Sequence, residues 1–307
     1  MKQSRPYSFA TLCNSISKNP VYKNLKVYRT IVEEVLAGNV EPLQFIGGSP
    51  GIGKSYILRE ECAKIGIAPT FINPTNPSSF NKELFQFRNK PVIVMDDCDS
   101  LATAPKVASI VKMGWGIDRI IHWATVEGNK NWRKKKTKFD PLIPPREYKI
   151  TTKLIWLSNL NFTTQLKNIS PDMRMSFEAI CSRGGDPLWI SGTDTELFRY
   201  TVWLGTIGDM FRRSHNDVGR KASQEAVNWF VTNRNHLREL SPRTLSRVAR
   251  VIHDVAPKNK NIILSKFLNG QTRDIPGFNE LVLTGKEWKE NGGLHEMCDV
   301  VCYQVFT

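Results

Sequence analysis

The stretch FIGGSPGIGKSYIL, residues 45–58, decides the fold. It puts four glycines, a proline, a lysine and two serines into one short turn. A glycine gives up more conformational freedom on folding than any other residue, so a chain that only had to turn would rarely use so many. Within the stretch, Gly48-Ser49-Pro50-Gly51-Ile52-Gly53-Lys54-Ser55 fits G-x-x-x-x-G-K-[ST], with an apolar run before it and a helical pattern after it. In that setting the glycines let backbone N–H groups curl around phosphate oxygens. The helix that begins near Lys54 points its positive end at the same anion. Lys54 then reaches the β- and γ-phosphates, and the Ser55 hydroxyl sits on Mg²⁺. The expected small ligands are ATP and Mg²⁺.

Two further strand ends fit this chemistry. In PVIVMDDCDS four apolar residues run into Asp96 and Asp97, at the carboxyl edge of a buried strand. Asp96 is expected to hold Mg²⁺ through water, and Asp97 stands where a base or water-orienting residue belongs. Asp99, followed by Ser100, is read as the cap of the next helix. In KLIWLSNLN an apolar run ends in Ser158 and Asn159. An amide there can hydrogen-bond a γ-phosphate or the water that attacks it.

The rest of the chain reads outward from these points. LQFIG (43–47), PTFIN (69–73), VIVMDD (92–97), LIWLSN (154–159) and PLWIS (187–191) are short runs, apolar on both faces. A parallel sheet covered by helices requires such strands. Helices are expected at about 54–65, 79–87 and 103–113. The fold class is therefore α/β, a parallel sheet sandwiched by helices. The first forty residues read as a helical segment, YRTIVEEVLAGN carrying apolar residues at Ile31, Val32, Val35 and Leu36 before a Gly-Asn stop. After about residue 193 the strand pattern ends. TELFRYTVWLGTIGDMF spaces Leu197, Tyr200, Thr201 and Leu204 as an amphipathic helix does, and SPRTLSRVARVIHDV does the same with Leu245, Val248, Ala249 and Ile252. Ser241 and Pro242 form an N-cap and N1 pair. The expected organisation is an N-terminal helical segment (1–40), an α/β core (41–193) with a basic insertion near 125–150, a smaller helical lid (194–270) and a C-terminal tail (271–307).

Composition narrows the class. With 40% hydrophobic and 23% charged residues among 307, the chain has the balance of a globular domain. No apolar run reaches the length of a membrane span, and no secretion or organelle signal is read at the N-terminus. Six scattered cysteines suit a reducing interior rather than a disulfide scaffold. Only His295, Cys298 and Cys302 in HEMCDVVC hint at a metal, and without a fourth ligand that spacing reads as helix packing. Forty-three Lys and Arg against 29 Asp and Glu give a net charge of +14 and a pI near 9.6, a field that attracts polyanions, most often nucleic acid.

Taken in order, phosphate loop, acidic strand, Asn-ended strand, downstream arginine and helical lid resemble the AAA+ ATPases over roughly residues 40–270. MDDCDSL followed by LIWLSNL is similar to AAA+ proteins often found in tailed phages and mobile elements. The resemblance implies a P-loop NTPase fold, ATPase activity and a ring or spiral homo-oligomer, commonly a hexamer. It implies that Arg183 in AICSRGG is an arginine finger serving a neighbouring subunit, with Arg174 as a competitor. It also implies that Arg243 in LSPRTL is a sensor 2 residue. Most AAA+ proteins carry Asp-Glu where this chain has Asp96-Asp97, which implies slow turnover. The Asp-Asp pair also resembles superfamily 3 viral helicases.

About 63 residues separate Asp96 from Asn159, more than one helix and a connection need. The excess holds GNKNWRKKKTKFDPLIPPREYK. Six of the ten residues from Asn129 to Lys138 are basic: Lys130, Arg133, Lys134, Lys135, Lys136 and Lys138, with Trp132 among them. Such a cluster can pair with phosphates while the indole stacks on a base. The expected function is Mg²⁺-dependent ATP hydrolysis coupled to work on DNA, in phage-type replication or a related step in a bacterial cytoplasm. A replication partner such as a helicase is also expected. Two alternatives stand beside it. One is an ATP-switched helicase loader or assembly factor. The other is a superfamily 3-like helicase or a protein remodeller, for which MGWGI at 113–117 would supply an aromatic pore loop.

Overall fold

The structure is a computed structural model that describes residues 15–123, 144–159, 170–206, 210–213, 220–268 and 273–275. The chain divides into two compact units, described separately. One comprises Asn24–Pro50 and Lys54–Ile190. The other comprises the described residues before Asn24, Gly51–Gly53 and those from Ser191 onward.

The first unit is built on a five-stranded parallel sheet. Its strands are β1 (Leu43–Gly48), β2 (Thr70–Ile72), β3 (Val92–Met95), β6 (Lys153–Ser158) and β7 (Leu188–Ile190), in the spatial order β2-β3-β6-β1-β7. β6 lies between the glycine-rich strand and the acidic strand. It pairs with β1 from Leu43↔Leu154 to Gly47↔Ser158 and with β3 from Val92↔Lys153 to Met95↔Trp156. All four residues of β3 are buried, as are Leu43–Gly47 of β1 and Leu154–Ser158 of β6. This is the two-sided burial that the apolar runs required. The α/β reading holds, and all five predicted strands are present within two residues of their expected ends.

The helices of this unit start where local chemistry dictates. Lys54–Lys64 follows the glycine-rich turn. Pro77–Phe87 begins two residues earlier than expected, because Asn76 and Ser79 form a reciprocal capping box with Pro77 in the first turn. Pro105–Gly114 packs against Pro171–Cys181. Phe45, Trp156, Phe177 and Trp189 form an aromatic knot beneath the sheet, with Phe45 edge-on to Phe177 at 5.2 Å. Glycine suits position 47 for a steric reason: a Cβ there would sit 2.0 Å from the Trp189 ring, which would have to shift.

Two strands were missed in the sequence. β4 (Ile120–His122) and β5 (Glu147–Lys149) pair antiparallel, with Ile121↔Tyr148 in register. Tyr148 is buried, donates its hydroxyl to Asn81 Oδ1 at 2.7 Å and packs edge-on to Phe85. Tyr148 and Ile150 thus belong to the hydrophobic core, while Glu147 and Lys149 are exposed. Trp115, expected to offer a pore-loop aromatic, is 5% exposed within the core cluster, whereas Ile117 is fully exposed.

The second unit is helical where described: Asp194–Thr206, Met210–Arg213, Arg220–Thr232, Pro242–Asp254 and Pro257–Ser265. Ser241 caps Pro242–Asp254 by accepting from the Thr244 N–H at 3.3 Å. Leu245, Val248, Ala249 and Ile252 form its buried stripe, as their spacing predicted. Along Asp194–Thr206, Tyr200 and Thr201 are buried as expected, together with Phe198, Val202, Trp203, Gly205 and Thr206, while Leu197 and Leu204 are only half-buried. Phe198 stacks on Phe230 at 5.9 Å, and the Thr201 hydroxyl donates to Leu240 O. Among the described residues no helix is long and apolar enough to cross a membrane.

Candidate functional site

The carboxyl ends of β1, β3 and β6 bring the predicted polar residues of the first unit together. Lys54 opens its helix and is 6% exposed. Its ammonium donates to Gly48 O at 2.7 Å, Ser49 O at 3.1 Å and Asn159 Oδ1 at 3.0 Å. All three ammonium protons have acceptors, as a buried cation requires. The buried Tyr28 donates its hydroxyl to Lys54 O at 3.1 Å and ties the helix Pro20–Ala37 to the first turn after the loop. Burial holds the Tyr28 phenol well above its ordinary pKa, so it stays a donor.

The next residue, Ser55, donates its hydroxyl to Asp96 Oδ2 at 2.6 Å. Asn159 turns its amide nitrogen to Asp97 Oδ1 at 2.9 Å. Its carboxamide thus spans Lys54 on one side and Asp97 on the other. Asp97 is exposed and adopts φ +55°. That left-handed conformation is uncommon outside glycine and turns the chain abruptly at the end of β3.

Asp99 is a correction to the sequence reading. It opens a 3-10 helix, Asp99–Thr103, whose flanking residue makes no side-chain cap. Its carboxylate instead accepts from Ser158 Oγ at 2.5 Å and from the Asn159 N–H at 3.4 Å. The signal was present as the third acid of DDCD, but a helix start next to an acid reads first as a cap. Cys98, between the acids, is buried, and its thiol is pushed up to about 12 by burial and then by Glu83, so it stays protonated.

The loop itself needs glycine at two backbone positions, Gly51 at φ +77° and Gly53 at φ +98°. Ile52 between them is 2% exposed. Gly51–Gly53 group with the helical unit, where the Arg243 backbone N–H donates to Gly51 O at 3.3 Å. Arg243 is exposed in the first turn of Pro242–Asp254. Arg183 is exposed in the turn after Pro171–Cys181, so a helix separates it from β6, and Arg174 is exposed on that helix. Lys130, Trp132, Arg133, Lys134, Lys135, Lys136 and Lys138 lie outside the described residues, as do His295, Cys298 and Cys302. The flanks of the basic segment are described: the Trp123 N–H donates to Arg146 O at 2.7 Å, at the end of the β4–β5 ribbon.

The donor set suits a hard divalent cation. Ser55 Oγ and Asp96 Oδ2 are adjacent oxygens, and Mg²⁺ takes few protein oxygens while keeping waters and substrate phosphates. Among the described residues no group of three or more His, Cys, Asp or Glu forms a metal cluster of the protein's own.

No family model matches the chain, and no curated protein does. Among solved structures the chain is similar to NtrX from Brucella abortus. The ATP complex of that protein is 13% identical with a TM-score of 0.46, covering 87% of this chain and 59% of that one. The ADP complex is 13% identical at a TM-score of 0.41, and a further NtrX structure 12% at 0.39, with the same coverage. The chain thus spans about three fifths of the NtrX chain, and likeness this remote assigns it to no family.

Proposed function

We propose that the chain is a Mg²⁺-dependent ATPase of the AAA+ type that acts on DNA as a homo-oligomer. The observation that carries the reading is the convergence of five side chains from three strand ends. Lys54 and Ser55 come from the glycine-rich turn, Asp96 and Asp97 from β3 and Asn159 from β6, joined by contacts of 2.6–3.0 Å. The loop Gly48–Ser55 receives the triphosphate, and Lys54 exchanges its carbonyl partners for phosphate oxygens. Charge developing between the β- and γ-phosphates is met by a fixed cation already shielded from water, where it acts more strongly than in bulk. Ser55 and Asp96 would hold Mg²⁺, which neutralises phosphate charge when bound. Asp97 orients the attacking water and takes its proton, and Asn159 holds the Asp97 carboxylate in place.

The finer parts follow from the sequence. Arg183 acts on a neighbouring subunit's nucleotide in a ring or spiral, and Arg243 acts as a sensor of the bound nucleotide. The segment from Lys130 to Lys138, with Trp132, contacts DNA. On the resemblance of MDDCDSL and LIWLSNL we read the chain as a phage-type AAA+ protein that works in a bacterial cytoplasm beside a replication partner. One observation favours a second reading, an ATP-switched loader with little turnover. Asp97 is shorter than the usual glutamate, and its carboxylate is already engaged by Asn159. Burial of Trp115 weighs against a protein remodeller.

The test is ATP binding and phosphate release with and without single- and double-stranded DNA, beside Lys54→Ala. Stimulated turnover lost in the variant supports the reading, and DNA-stimulated turnover without strand displacement supports the loader. A wild-type chain with no affinity for ATP or GTP sinks both. For the DNA arm, Lys134, Lys135 and Lys136→Glu abolishes ATP-dependent DNA binding and leaves nucleotide affinity intact. With about five phosphate contacts, the wild-type log K falls with log[salt] at roughly −0.9 per contact.

A further inference from the structure

We propose that Asp99 is a positioning residue that sets the Asn159 carboxamide between Lys54 and Asp97. The kinetic part rests on the ATPase reading above, while the positional part stands on geometry alone. β6 ends at Ser158, whose last sheet partner is Gly47, so Asn159 lies just past the ladder and the sheet no longer orients it. The Asp99 carboxylate takes over at that point. One oxygen accepts from Ser158 Oγ at 2.5 Å and the other from the Asn159 N–H at 3.4 Å. It holds the side-chain hydroxyl of Ser158 and the backbone N–H of Asn159, one on each side of the 158–159 peptide bond, and so fixes the direction in which the Asn159 side chain leaves.

The anchor is itself firm. Leu101, Ala102 and Thr103, which follow Asp99 in the same short helix, are buried, and Ser158 is 1% exposed. Within four residues the acids divide their tasks: Asp96 to Ser55, Asp97 to Asn159 and Asp99 to the end of β6. Hydrogen bonds to an ionised carboxylate are about twice as strong as neutral ones, so the clamp holds better than a serine or asparagine at 99 would. Asp99 touches neither Lys54 nor Asp97 in any of these contacts. Its effect passes through Asn159, which bonds both, Lys54 at 3.0 Å and Asp97 at 2.9 Å.

The experiment uses the full chain as wild type, Asp99→Ala, Asp99→Asn and Ser158→Ala. Two independent readouts are taken. The first is the side-chain amide resonance of Asn159 without nucleotide, assigned by its loss in Asn159→Ala. The second is ATP affinity together with kcat and KM. In Asp99→Ala the amide resonance moves toward the position of a free asparagine. ATP affinity and KM stay within about threefold, while kcat falls about 10- to 100-fold, the range of one lost hydrogen bond to a charged group. Asp99→Asn, whose amide oxygen still accepts from Ser158, falls less. Ser158→Ala keeps Asp99 and its Asn159 N–H contact, shifts the same resonance, and carries the test if Asp99→Ala does not fold. An unmoved Asn159 resonance overturns the proposal. So does a lowered melting temperature with kcat unchanged, which would make Asp99 a tie between β3 and β6 and nothing more. If the wild type binds no ATP, the ATPase reading fails, and the resonance still decides the role of Asp99.

Discussion

Asn159→Ala is expected to push binding and turnover in opposite directions. The Lys54 ammonium spends one of its three donors on Asn159 Oδ1 at 3.0 Å. A polyphosphate that claims the ammonium has to displace that bond or its neighbours to Gly48 O and Ser49 O. A hydrogen bond to a charged group contributes about 1.5–3 kcal/mol net. Water entering the space left by the carboxamide recovers part of this in the variant. The free state therefore loses about 1 kcal/mol that the bound state does not, which corresponds to nucleotide binding roughly fivefold tighter. ADP is the clean probe, because it lacks the γ-phosphate that Asn159 would touch. Turnover falls by about 10- to 100-fold, since Asp97 loses its 2.9 Å partner. Calorimetric titration with ADP and steady-state phosphate release measure the two effects. The same substitution in a Lys54→Ala background supplies the control, because the tightening passes through the ammonium and must vanish with it. Weaker or unchanged ADP binding in Asn159→Ala refutes the reasoning, as does tightening that persists without Lys54.

Other expectations concern the framework. Glu61, its side chain fully buried, accepts from Arg29 and from Lys64 at 2.6 Å. Glu61→Ala removes this buried acceptor but leaves Arg29 paired with Glu60 at 2.7 Å and Lys64 half in solvent, so it is expected to cost about 1.5 kcal/mol in urea unfolding; no measurable loss would mean that Glu60 alone holds Arg29 as well. Gly47→Ala drives a methyl into the Trp189 ring and is expected to destabilise by about 1–3 kcal/mol, with unchanged stability showing that the ring can swing away. Cys62, Cys98 and Cys181 are pushed up to about 11, 12 and 12, chiefly by burial. Their thiols ionise near pH 8.5 in the unfolded chain, so between that pH and the folded values the unfolded state binds fewer protons and stability declines as pH rises. At pH 8 alkylation of these three thiols in the folded protein is expected to run at least about 100-fold slower than in urea, and equal rates would mean that burial does not protect them.

The strands were legible because each is apolar on both faces and short, a pattern that few other elements share. The site was legible where chemistry and strand end coincide. Lys54, Ser55, Asp96, Asp97 and Asn159 each follow or close a distinctive run, and the structure brings them within hydrogen-bond distance. Asp99 was misread because its partners, Ser158 and Asn159, lie about sixty residues away and its local surroundings fit a helix cap. Tyr28 carried no signal at all: one tyrosine on an amphipathic helix looks like core, and its hydroxyl bond to Lys54 O exists only after packing. The β4–β5 ribbon escaped notice because three-residue strands with one buried side chain each fall below what alternation can reveal.

The central place of β6 has a mechanical consequence. Both its edges are laced to neighbours, β1 on one side and β3 on the other. The glycine-bearing end of β1, the acids and the amide are thus mounted on what amounts to a single stiff plate. Sliding one strand past the next would break every rung of a ladder at once. A chemical event at the plate's rim must then be announced by side chains turning at the strand tips, a local motion of picoseconds to nanoseconds, while the plate beneath them keeps its form.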